Sequence, residues 1–172
     1  KVSLQLGKEL LAQAEELAKA EGCKTIEKVQ RNGGIVEAIC HLEPESRLVV
    51  IGRTGADHGS NFRAVGSHIE QVIRQVHTPI LIANKAFEQP KSFILAYDGR
   101  ETADKAVKKI IEGGLLNNLT CHLVTVKSKQ KDLKENFKRT EALLIESGFE
   151  VKSSFLEGSI FGALRDYQQI NN

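Results

Sequence analysis

Apolar residues near the start recur at Leu10, Leu11, Ala14, Leu17 and Ala18, the spacing of one helix face, and Gly22 supplies a stop. Thr25 to Gln30 alternates in the manner of a strand, Gly33-Gly34 breaks it, and Ile35 to Leu42 predicts a short helix. Leu48-Val49-Val50-Ile51 is a continuous apolar run, as in a buried parallel strand. A Gly-containing loop follows from Gly52 to Gly66, and Ile69, Val72, Ile73 and Val76 then trace a helical stripe. His77-Thr78-Pro79 ends that helix, because a residue before proline is pushed out of the helical region. Ile80-Leu81-Ile82 predicts the next strand.

Residues 84–91, rich in Lys, Glu and Pro, read as a linker. Beyond it, Phe93 to Tyr97 predicts a strand closed by Asp98-Gly99, and Ala103, Ala106, Val107, Ile110 and Ile111 mark a helix. Leu119 to Val126 predicts a strand, 127–134 a polar loop, and a helix then runs to about Ser147. Phe149 to Leu156 is a further strand and Ile160 to Tyr167 a short helix. Strands alternating with helices imply parallel β-α-β units, so the fold class is α/β, a doubly wound parallel sheet with helices on both faces.

The two ends of the chain resemble each other. Lys8-Glu9 through Leu17 and Gly22 pairs with Lys134-Glu135 through Leu143 and Gly148, 126 positions on. After one gap, Gly33-Gly34-Ile35 pairs with Gly158-Ser159-Ile160 at an offset of 125. Two amphipathic helix-strand units alike by chance is the competing explanation. On the repeat reading, residues 1–86 are the rear of one unit and 87–172 the front of the next. The chain starts at Lys1 and contains no Met, so its ends are expected not to be the native ones.

Composition narrows the classes. Apolar residues at 41% and charged residues at 27% fit a globular protein. No apolar run exceeds strand length and no leader pattern is visible, which predicts a cytoplasmic protein with no membrane partner. The net charge of +2 is spread along the chain, which argues against a nucleic-acid partner, since phosphate backbones require a basic patch. Cys23, Cys40 and Cys121 are far apart and odd in number, as free thiols are. Cys40-His41 and Cys121-His122 lack metal-ligand spacing, and neighbours on a strand face opposite ways, so no metal site is expected there.

The sharpest motif is Gly52-Arg-Thr-Gly55, ten residues, then Gly66-Ser67 opening a helix. Glycine lets backbone N–H groups approach a phosphate, and a helix start adds free donors and positive dipole. A second reading stays open: Ser67-His-Ile-Glu70 is also a capping box, so Ser67 serves its own helix and the glycines only turn the chain. Arg53, Arg63, His58 and His68 flank the loop, as phosphate partners or as solvated side chains. No catalytic residues stand out, since no Ser-His-Asp order or carboxylate pair accompanies the loop.

These residues resemble the universal stress protein (UspA) family. Its pattern is G-x2-G-x9-G-[ST] after an I-V-x-G strand, then a helix and a P-V-L-V strand. Here Val49-Val50-Ile51-Gly52-Arg-Thr-Gly55, Gly66-Ser67 and Pro79-Ile80-Leu81-Ile82 fit, with ten spacer residues instead of nine. Ile94-Leu95-Ala96-Tyr97-Asp98 is similar to the family's first strand, which ends in Asp. The resemblance implies a Rossmann-like, adenine nucleotide alpha hydrolase-like fold in two tandem units, each incomplete in this chain. It implies a stress response and ATP, with its accompanying Mg, as ligand. The implied contacts are Gly52, Gly55, Gly66 and Ser67 at the phosphates, Asp98 at the adenosine part and Val126 against the adenine. Asp98 in a plain Asp-Gly turn and Val126 in ordinary packing are the alternatives. At most slow ATP hydrolysis is expected. The other function in view is an interaction module without nucleotide, in which tandem domains or a homodimer pair through Ile80 to Ile82.

Overall fold

The computed structural model describes residues 2–52, 67–83, 88–127 and 133–171. It divides into two units, Lys1–Ala83 and Asn84–Asn172. The first contains α1 (Val2–Ala20), α2 (Ile35–Leu42), a 3-10 turn (Glu43–Glu45), β1 (Val49–Gly52), α3 (Ser67–Gln75) and β2 (Ile80–Ala83). The second contains β3 (Ser92–Ala96), α4 (Glu101–Gly113), β4 (Thr120–Val126), α5 (Leu133–Glu146), β5 (Val151–Leu156) and α6 (Ile160–Ile170).

In the first unit β1 and β2 run parallel, with Val49 opposite Ile80 and Gly52 opposite Ala83. Val36 of α2, with Val72 of α3 and Val76 beyond it, makes the core, and Ile39, Val49, Ile51 and Ile80 pack against it. Of the stripe that predicted α3, Ile69, Val72 and Val76 are buried, whereas Ile73 is 49% exposed. The Glu43 carboxylate ties the 3-10 turn to the end of α3: its Oε1 accepts from the Thr78 N–H at 2.6 Å and also from the His77 N–H. Those bonds, the Thr78 one first, hold the Glu43 carboxyl below its ordinary range.

Thr25–Gln30 is not a strand, against the sequence expectation. A strand exists only where a neighbour takes its backbone bonds. Its counterpart in the repeat, β5, takes them from β4, and the described residues of the first unit contain no strand in that place. The segment contacts α1 instead. Lys28 pairs with Glu15, and Gln30 Nε2 donates to the Leu4 carbonyl at 3.2 Å.

The second unit has a parallel sheet of order β3-β4-β5, with β4 in the middle. Cys121 through Thr125 on β4 are all buried. Their side chains alternate as the pleat requires. Cys121 and Leu123 join Leu95, Val107, Phe137 and Leu144 in a core shared with α4 and α5. His122 turns the other way, where its Nδ1 lies 3.0 Å from the Tyr167 hydroxyl of α6. Helices thus cover both faces of this sheet, as expected of the α/β class.

The repeat seen in sequence recurs in backbone geometry. At the end of α1 the Cys23 N–H bonds to the Ala18 carbonyl and the Gly22 N–H to that of Lys19; at the end of α5 Phe149 bonds to Leu144 and Gly148 to Ile145. Both are the same left-handed stop, with φ +89° at Gly22 and +91° at Gly148, values that favour glycine. The helix starts correspond too: φ is +125° at Gly33 and +106° at Gly158, each followed by an extended residue, Gly34 or Ser159.

Candidate functional site

Open parallel sheets bind ligands beyond the carboxyl ends of their strands. In the second unit the ladder continues to those ends: the Tyr97 N–H donates to Val124 and the Lys127 N–H to Leu156. A cleft of about 510 Å³ opens there. It is lined by Asp98 and Arg100 from the β3–α4 turn, Thr125 and Val126 from β4, Leu133 at the start of α5 and Ile160 of α6. One wall is apolar and the other carries a carboxylate and a guanidinium, as small-ligand sites do.

Asp98 sits in the turn that sequence offered as the alternative. Its Oδ1 accepts from the Arg100 N–H at 3.0 Å, and Gly99 between them has φ +77°. Its Oδ2 lies 3.6 Å from Arg100 Nε, with side chains 58% and 75% exposed, so water screens the pair. The turn occupies one acceptor site and leaves carboxylate lone pairs facing the cleft. Deeper in, the Tyr97 hydroxyl donates to Asp104 at 2.7 Å, and burial pushes the Tyr97 phenol up. That bond anchors the first turn of α4 beside the cleft.

Asp98 and Val126 are therefore brought together, on neighbouring strands at one cleft. Gly52 ends β1 and Ser67 is the first residue of α3, both in the first unit. Gly55 and Gly66, with Arg53, His58 and Arg63, lie outside the described residues, as do the side chains of Ser67 and His68. Cys121 and His122 face opposite sides of the sheet, and among the described residues no group of three or more His, Cys, Asp or Glu is placed to hold a metal. Among those residues no helix is long and apolar enough to cross a membrane.

Two features of the cleft went unread in the sequence. Arg100 is seen only once the Asp98 turn folds back. Thr125 is 2% exposed, and its Oγ1 has no hydrogen-bond partner among the described residues. Its signal was a lone hydroxyl in the apolar run that precedes Val126.

The sequence profile of the Universal stress protein family matches residues 2–84. A universal stress protein of Synechocystis sp. is 25% identical over 173 residues, an alignment that takes in 99% of this chain. Residues 2–84 thus match the family's profile, and the chain as a whole is similar to universal stress proteins. The solved structure of a universal stress protein from Archaeoglobus fulgidus matches 97% of the chain with a TM-score of 0.77 at 20% identity, a likeness of fold. The α/β Rossmann-like class expected from sequence is thus the class observed. The chain spans 60% of the length of the Synechocystis relative and 64% of the Archaeoglobus chain.

Proposed function

We propose that this chain is part of a universal stress protein that binds an adenine nucleotide, ATP, and acts through that binding in a cytoplasmic stress response. The observation that carries the proposal is the convergence of Asp98 and Val126 on one cleft at the carboxyl ends of β3 and β4. The resemblance assigns those two positions to the adenosine part and the adenine. The residues suit such a ligand. Val126, Leu133 and Ile160 offer apolar surface to a base, and the Asp98 carboxylate offers acceptors to ribose hydroxyls.

The first unit carries a separate half-site, with phosphates at Gly52, Gly55, Gly66 and Ser67, and Mg would arrive on the phosphates. A phosphate-bound Mg keeps several waters and requires no protein cage. The repeat supports a tandem arrangement, with residues 1–86 the rear of one universal stress protein unit and 87–172 the front of the next. Each unit would then complete its own site. The role is binding, with hydrolysis at most slow.

A second reading rests on a different observation. Leu81 and Ile82 of β2 are 46% and 38% exposed, and among the described residues β2 pairs only with β1. An apolar edge strand of this kind suits pairing between tandem domains or in a homodimer. In that case the protein works through partners and binds no nucleotide.

Calorimetry of the full-length protein with ATP, beside Gly55→Val, separates the two. Micromolar binding in the parent and its loss at one site in the variant support the nucleotide reading. No heat in the parent leaves the pairing module.

A further inference from the structure

The Asp98-Gly99-Arg100 turn brings two charged side chains into the lining of the cleft, and the turn itself requires only one of them. Asp98 Oδ1 accepts from the Arg100 backbone N–H at 3.0 Å, a donor that any residue except proline supplies. The Arg100 side chain takes no part in that bond. It makes no capping bond to α4, whose N-cap it occupies, and it is 75% exposed. Its contact with Asp98, Nε to Oδ2 at 3.6 Å, is longer than a hydrogen bond and is not the two-point fork that a guanidinium forms with a carboxylate. The next carboxylates along the chain are engaged elsewhere. Glu101 pairs with Lys105 at 2.8 Å, and Asp104 accepts from the Tyr97 hydroxyl at 2.7 Å. Among the described residues, the guanidinium donors therefore meet no acceptor at hydrogen-bond distance.

Three kinds of surface adjoin in this lining. Val126, Leu133 and Ile160 are apolar, Asp98 offers acceptors to hydroxyl groups, and Arg100 offers a planar cation whose fork matches two oxygens of a phosphate. A nucleotide presents the matching parts in the same order: a flat ring, a hydroxylated sugar and a phosphate bonded to that sugar. Arg100 stands two residues from Asp98 on one turn, so the phosphate within its reach is the one next to the sugar.

We propose that Arg100 is a specificity-determining residue of this cleft, its guanidinium holding the sugar-linked phosphate and so selecting a nucleotide over the free nucleoside. The inference rests on the nucleotide reading above and deepens it. Arg100→Ala is the test because it removes the guanidinium and keeps the backbone N–H that Asp98 accepts from. Arg100→Lys is its companion because lysine keeps the charge without the fork.

The full-length protein is titrated with adenosine, AMP and ATP, following the backbone amide signals of Val126 and Ile160, which report this cleft. The parent is expected to bind AMP about tenfold more tightly than adenosine. In Arg100→Ala, AMP and ATP should both weaken about tenfold, the scale of one hydrogen bond to a charged group at an exposed position, while adenosine stays within about threefold of the parent. Arg100→Lys should bind AMP more tightly than Arg100→Ala. Unchanged AMP binding in Arg100→Ala, an equal loss for adenosine, or lysine no better than alanine overturns the proposal. So does a loss for ATP that AMP does not share, which would put the guanidinium at an outer phosphate. A parent that binds adenosine and AMP equally overturns it too, and leaves recognition of the nucleoside part standing. A parent that binds none of the three overturns the nucleotide reading itself, and this proposal with it.

Discussion

Asp98 has two possible roles, shaping a turn and holding a ligand, and one pair of substitutions separates them. In the structure Oδ1 accepts from the Arg100 N–H at 3.0 Å, while Oδ2 faces Arg100 Nε at 3.6 Å across partly exposed space. Asparagine at this position keeps a side-chain oxygen for the Arg100 N–H, so Asp98→Asn retains the turn. It loses the charge and one acceptor oxygen. A hydrogen bond to a charged group contributes about 1.5–3 kcal/mol, and the exposure of Asp98 places it at the lower end. Asp98→Asn should therefore weaken ATP binding about tenfold, equivalent to about 1.4 kcal/mol. Its thermal unfolding should overlay the parent's. Asp98→Ala removes both functions, so it should lose at least as much affinity and also lower the unfolding temperature by a few degrees. Calorimetric titration with ATP and a thermal melt on the same preparations supply both readings. Asp98→Asn that binds ATP as tightly as the parent refutes the ligand role and leaves Asp98 as a turn former.

Phe137 is 1% exposed, with its ring 6.3 Å from that of Tyr97 and 4.5 Å from that of Phe155. Phe137→Ala should cost about 3–5 kcal/mol in urea unfolding, a large part of the stability of a unit this size; a loss under 1 kcal/mol would mean the core is not packed as described. Burial pushes the Cys121 thiol up from 9.0 to about 11, while Cys23 is exposed. A disulfide reagent at pH 8 should therefore modify Cys23 at once and Cys121 only after unfolding. Because the folded-state value lies above the unfolded one, Cys121 is a source of stability below about pH 9 that declines as pH rises towards 11. Cys121→Ser should flatten that decline, and a pH–stability curve unchanged between pH 9 and 11 would contradict it.

Sequence pattern carried the fold where it was local. β1 and β2 came from unbroken apolar runs, α3 from one stripe, and the stops at Gly22 and Gly148 from glycine where a left-handed residue closes a helix. It failed at Thr25–Gln30, because strand formation depends on a neighbour that local alternation does not reveal. The link from Glu43 to His77 and Thr78 spans more than thirty positions, so nothing near Glu43 announced it. The family resemblance placed Asp98 and Val126 at strand ends, where the structure puts both in the lining of one cleft. Arg100 and Thr125 were not legible, since one depends on how the turn folds back and the other on a bond that is missing among the described residues.

The most direct test of nucleotide binding is an amide chemical-shift map of the full-length protein titrated with ATP. Saturable shifts concentrated at Asp98, Arg100, Thr125 and Val126 are the predicted result, because those residues line the cleft. No saturable shifts, or shifts confined to other parts of the second unit such as α6 near Tyr167, would contradict it.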